Sequence, residues 1–266
     1  MLRFVPLIMV FLICGNRLHA APKRLAIPPL QPSYIEKDPR ANKIIVVKNL
    51  ALQKTFGAEL AWFMQGLRPI NAVNGDGVLR IRPPRGKRIV VPVKFRTFAI
   101  GPKLVNEYAT AKGVLKITQH LGKASEYQWI PLPPALSQNL NGRQAEQSFA
   151  GSDYWMSDLG LEFLRWPNQK IIKRELRRGE LCSVLVSEPA VPGGYSKIVS
   201  WVDEGTYGIV QADAYDAKEK LLKIFAPKSF KRIQGQWQLK EMEMRNEQAD
   251  SRTSIIFELK KAAPKK

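Results

Sequence analysis

The chain has 266 residues, of which 45% are apolar, 9% aromatic and 24% charged. That composition supports a well-formed core and excludes a disordered chain, and its 19 prolines and 18 glycines follow no collagen-like period. Lys and Arg number 42 against 23 Asp and Glu, a formal charge of +19, while two His and two Cys leave little material for zinc or haem sites or for histidine-based catalysis.

Arg3, the apolar run Phe4 to Cys14 and the polar stretch ending in Ala20 have the layout of a secretory signal over residues 1–20, with cleavage after Ala20 or Ala21. The run is too short to cross a hydrocarbon core, which takes about 20 residues. Ile13 stands where a lipoprotein signal needs a small residue before its cysteine, so Cys14 is not read as a lipidation site. The expected location is the periplasm. Cleavage removes Arg3 and Arg17 and no acid, so the mature charge is +17, and it leaves Cys182 and His120 as the remaining Cys and His. Outside the inner membrane the abundant anions are lipid head groups, lipopolysaccharide phosphates and acidic wall polymers, so nucleic acid is not expected as a partner. An unpaired Cys182 in an oxidising compartment reads as a small buried residue.

Residues 21–40, with Pro22, Pro28, Pro29, Pro32 and Pro39, read as an extended proline-rich arm. The β-branched run Ile44 to Val47 then gives way to a helical Ala58 to Met64, and Asn74-Gly75-Asp76-Gly77 reads as a turn. From Val78 to Lys260 short strand candidates follow one another through tight turns, which means an antiparallel meander, because parallel pairs need long crossovers. So many strands predict a sheet that curls on itself.

Between Pro131 and Pro167 the strand pattern stops. Ser152 or Asp153 can cap one short helical turn and Ser157 or Asp158 another. Trp155, Leu159, Phe163 and Trp166 recur at a spacing that places them on one helical face, which Pro167 ends. The insert reads either as an ordinary core helix over one sheet face or as a plug across the mouth of an apolar cavity. In the second case the candidate ligand-binding residues are Phe149, Tyr154, Trp155, Met156, Leu159, Phe163 and Trp166.

The segment Ser148-Phe149-Ala150-Gly151-Ser152-Asp153-Tyr154 with Asp158-Leu159 resembles the outer-membrane lipoprotein-sorting protein family, within the LolA/LolB-like superfamily of periplasmic lipoprotein and lipid carriers. Cys182 to Pro189, Tyr195 to Asp203 and Tyr215 to Lys223 carry the same resemblance, which covers roughly residues 70 to 262. It implies an α+β, mainly antiparallel fold: a strongly curled meander sheet, a half or open barrel, with helices over its concave face. The domain then spans residues 41–262, with a basic tail at 263–266. The implied activity is a carrier of lipoprotein or lipid acyl chains toward the outer membrane, with inner-membrane donor and outer-membrane acceptor proteins as partners. Arg80, Arg82, Arg85, Lys87 and Arg88 at the rim are candidates to hold anionic head groups.

Catalysis is not expected. There is no Gly-x-Ser-x-Gly or His-Glu-x-x-His motif, and no cofactor or metal is implied. The rival reading is a non-catalytic basic binding or scaffold module at the outer membrane or cell wall, with a packed concave face and no ligand cavity.

Overall fold

The computed structural model describes residues 35–37, 45–47, 49–69, 72–233 and 236–258. The expected signal at 1–20, nearly all of the arm at 21–40 and the basic tail at 263–266 lie outside them.

After the short strands β1 (Ile35–Lys37) and β2 (Ile45–Val47) comes helix α1 (Leu50–Gly66). A first meander follows: β3 (Val73–Arg82), β4 (Ile89–Ile100), β5 (Lys103–Thr110), β6 (Gly113–Gln119), β7 (Glu126–Pro131) and β8 (Gln138–Leu140). The insert carries one short helix, α2 (Met156–Leu159). A second meander closes the described chain: β9 (Asn168–Arg177), β10 (Glu180–Glu188), β11 (Lys197–Asp203), β12 (Ile209–Tyr215), β13 (Leu221–Ile233), β14 (Gln236–Asn246) and β15 (Ser251–Glu258). All pairings are antiparallel, and β15 pairs with β3, so the two meanders form one open sheet in the order β1-β2-β9 to β15-β3 to β8. The curled, mainly antiparallel architecture with helices against its inner face is the expected one.

Asn49 starts α1 by accepting the Ala51 and Leu52 amides on its side-chain oxygen, at 2.9 and 3.2 Å. The helix buries Phe56, Leu60, Ala61 and Met64 in the main core, against β9 and the insert. Gly57 allows that approach, because a Cβ there would lie 2.5 Å from the Gln169 carbonyl carbon. Cys182 lies in a small separate cluster with Val184 and Trp201, fully buried, and burial pushes its thiol pKa up to about 12.

Two local expectations are corrected. Asn74 to Gly77 lies inside β3 rather than in a turn. Its glycines serve close packing: a Cβ on Gly75 would meet the Phe95 ring at 2.5 Å, and one on Gly77 the Ile256 carbonyl oxygen at 2.6 Å. The insert is also not one continuous helix. After α2, Gly160 ends the turn and Leu161 takes a left-handed conformation, with φ of 49°, before a 3₁₀ turn at Glu162–Arg165. Trp155, Leu159, Phe163 and Trp166 therefore do not share a helical face.

Candidate functional site

The Ser148–Tyr154 motif is a tight loop, stitched by Phe149 N–H to the Tyr154 carbonyl (2.8 Å) and Ser152 N–H to the Phe149 carbonyl (3.0 Å). Asp153 caps no helix, contrary to the expectation from sequence. Its carboxylate accepts from the Ser251 and Thr253 hydroxyls at 2.5 and 2.7 Å, and its amide donates to the Thr253 hydroxyl at 3.0 Å. The motif thus pins the start of the insert to β15. Ser152 keeps its hydroxyl within the loop, accepting from the Tyr154 amide.

Beyond that anchor the insert has irregular backbone, and its carbonyls must find donors inside the barrel. Three buried glutamines supply them. Gln65 donates to the Leu164 carbonyl (2.7 Å), Gln119 to that of Gly160 (2.5 Å), and Gln169 to those of Phe163 and Trp166 (2.8 and 2.9 Å). Gln119 is itself held by Asn106, and Asn106 by Thr97, a polar row running across β6, β5 and β4.

Asp158 has the densest set of contacts. One oxygen accepts the Trp155 amide (2.8 Å) and Lys223 Nζ (3.2 Å), and the Tyr195 hydroxyl donates to the carboxylate at 2.9 Å. It does cap α2, from the third helical position rather than from ahead of the helix. The Lys223 side chain is only 1% exposed, with Nζ 3.6 Å from the Trp155 ring centroid and 5.3 Å from that of Tyr195. Burial pushes its pKa below the ordinary lysine value, with Asp158 opposing the shift. Burial likewise holds the Tyr154 and Tyr195 phenols well above theirs.

Behind the insert lies an apolar cavity of about 30 Å³, lined by Tyr154, Asp158, Leu159, Leu161, Phe163 and Tyr195 and by inward side chains of β11 to β14, including Lys223. A groove of about 370 Å³ opens beside it, bordered by Glu162, Phe163, Trp166 and the 189–193 loop. Asp158, Phe163, Tyr195 and Ile198 line both spaces and form the wall between them.

Of the residues singled out in the sequence, Tyr154, Leu159 and Phe163 line the cavity, and Trp166 joins Phe163 at the groove. Phe149 is fully buried with its ring 6.0 Å from that of Tyr108, Trp155 covers Lys223, and Met156 is half-buried against the core. Lys223, Tyr195 and the three glutamines were not foreseen. Arg80, Arg82, Arg85, Lys87 and Arg88 are exposed on β3 and the following hairpin, and none lines the cavity or the groove. Strand register sets Arg245 opposite Arg252 and Arg252 opposite Arg82, an outward row of like charges beside the exposed Ile89 and Val90. His120 Nε2 lies 3.4 Å from a carboxylate oxygen of Glu126. Among the described residues no group of three or more His, Cys, Asp or Glu could hold a metal, and no helix is long and apolar enough to cross a membrane.

A model of a family described as uncharacterized matches residues 106–263. No curated protein matches the chain. Among solved structures it is similar to a DUF1329 family protein from Desulfovibrio piger (19% identity, TM-score 0.65) and to a putative outer membrane lipoprotein-sorting protein domain from Vibrio parahaemolyticus (17%, 0.67). A LolA superfamily protein from Nitrosomonas europaea is similar at 13% identity and a TM-score of 0.57. Each similarity covers 80% of this chain and 95% of the other.

Proposed function

The chain belongs to the uncharacterized protein family whose model spans residues 106–263, and from that membership and its LolA-like fold we propose that it is a non-catalytic periplasmic carrier of acyl chains. Lipid or lipoprotein hydrocarbon would enter the concave face of the sheet in place of the insert and travel toward the outer membrane. The observation that carries this reading is the insert itself, an irregular segment seated inside a curled sheet, with its apolar side chains in the core and its carbonyls met by glutamine side chains.

The energetics favour a stand-in of this kind. A cavity of about 30 Å³ costs under ~1 kcal/mol, at about 24 cal/mol per Å³. An empty space of ~300 Å³, the low end of ligand pockets, would cost several kcal/mol. Hydrocarbon transfer returns about 0.8 kcal/mol per CH₂, on the order of 10 kcal/mol for a ~16-carbon chain before ordering costs. The present cavity is too small for such a chain. Loading therefore requires Leu159 and Phe163 to move, and the groove beside Phe163 and Trp166 is the point of entry.

The basic outer face gives the anionic head groups of a membrane or cargo a place to meet the protein. Like charges set directly opposite one another on neighbouring strands are destabilising, so the Arg252 and Arg82 end of the row, beyond the Arg245–Glu247 ion pair, favours an anion across it. That row, together with the nearly filled concave face, also favours the second reading, a binding module with no cargo. Lipid extraction from the natively purified protein, followed by mass spectrometry, separates the two. A stoichiometric acyl lipid supports the carrier. Protein that comes away lipid-free and stays lipid-free on incubation with palmitate and with a lipopeptide contradicts it.

A further inference from the structure

The polar groups lining the cavity have a direct bearing on what the cargo can be. Lys223 projects from β13 into an otherwise apolar wall, and its anionic partner, Asp158, belongs to the element that has to move. Tyr195 donates to the same carboxylate. When the insert leaves, both lose their acceptor while still facing hydrocarbon. Two donors of the cavity wall, the Lys223 ammonium and the Tyr195 phenol, therefore await oxygen acceptors, and only the ammonium requires that the acceptor be charged.

We propose that Lys223 is the head-group site of the carrier, and that cargo displaces the insert by exchanging its own anionic oxygens for the Asp158 carboxylate. The ligand class is an amphiphile with an acyl chain and a carboxylate or phosphate head. Tyr195 supplies a further hydrogen bond to that head. A neutral lipid of the same chain length fills the hollow equally well but strands the Lys223 charge, so it binds more weakly. This assignment rests on the carrier reading and narrows it.

The test is calorimetric titration of the purified protein with palmitate, lysophosphatidate and monopalmitoylglycerol, all below their aggregation concentrations. The native protein is expected to prefer both anionic lipids over the neutral one by about ten-fold or more, the scale of one charge-assisted hydrogen bond. Preference for only one of them identifies the head group as carboxylate or phosphate and still supports the site. Lys223→Met brings the preference close to unity, and Lys223→Arg keeps it. Asp158→Asn removes the competing carboxylate while leaving the lysine, so it raises the preference, and this variant carries the test if Lys223→Met does not fold. Equal binding of charged and neutral lipids by the native protein overturns the head-group site and leaves the carrier intact, as does an Asp158→Asn preference that stays unchanged. Binding of none of the three overturns both.

Discussion

Replacing Asp158 by Ala removes the acceptor shared by Lys223, Tyr195 and the Trp155 amide. The largest consequence falls on Lys223, which loses its contacting carboxylate and keeps only the through-space charges of Asp153 and Glu146. Breaking a buried pair from one side costs about 3–5 kcal/mol, and the lost cap of α2 contributes to that loss. In a chain of this size each kcal/mol moves the melting temperature by ~2–4 °C, so the variant should melt roughly 6–20 °C lower at neutral pH. The deficit depends on pH with a definite sign. The folded-state pKa of Lys223 lies below its ordinary value, so between those two values the unfolded chain binds more protons and stability rises with pH. Without Asp158 the folded-state pKa falls further and the window extends downward. The variant should therefore recover stability relative to the native protein as pH is raised from 7 toward 10. Urea unfolding followed by tryptophan fluorescence at both ends of that range reads the effect, and adding Lys223→Met should restore most of the loss. A variant within about 1 kcal/mol of the native protein at pH 7, with an unchanged pH slope, would refute the reasoning.

Gly160→Ala would drive a methyl group into the Tyr127 hydroxyl oxygen and to 2.9 Å from its ring carbon, so a loss of about 1–3 kcal/mol is expected in thermal melts. Glu162 accepts from the Ser125 amide and the Tyr127 hydroxyl, and burial holds its pKa above the usual carboxylate range. A raised folded-state pKa contributes stability at low pH that is lost as pH rises through it, so Glu162→Gln should flatten that decline in pH-dependent urea midpoints. Cys182, buried and with its thiol pushed up to about 12, should resist a disulfide reagent at pH 8 in the folded protein and react once unfolded.

The strands were legible because alternation and tight turns are local signals. Lys103–Thr110 and Gly113–Gln119, joined at Ala111-Lys112, are an example. Asn74 to Gly77 misled because glycine serves both turns and close approach, and only the facing Phe95 ring and Ile256 carbonyl decide between them. In the insert, the spacing of Trp155, Leu159, Phe163 and Trp166 imitates a helix, whereas the backbone turns left-handed at Leu161 and its carbonyls meet glutamines of α1, β6 and β9. Those partners left a faint trace: Gln119 and Gln169 are polar residues at inward strand positions, where alternation calls for apolar ones. Lys223 left the same trace in β13. Its partner lies 65 residues away, so no local pattern could pair them.

Whether cargo takes the place of residues 149–166 is read most directly by amide hydrogen exchange with and without saturating palmitate. The account predicts faster exchange across that segment on loading, with the strands of the sheet as protected as before. Bound palmitate with unchanged or slower exchange at 149–166 would show that the insert is a permanent part of the core, and the carrier account would fail.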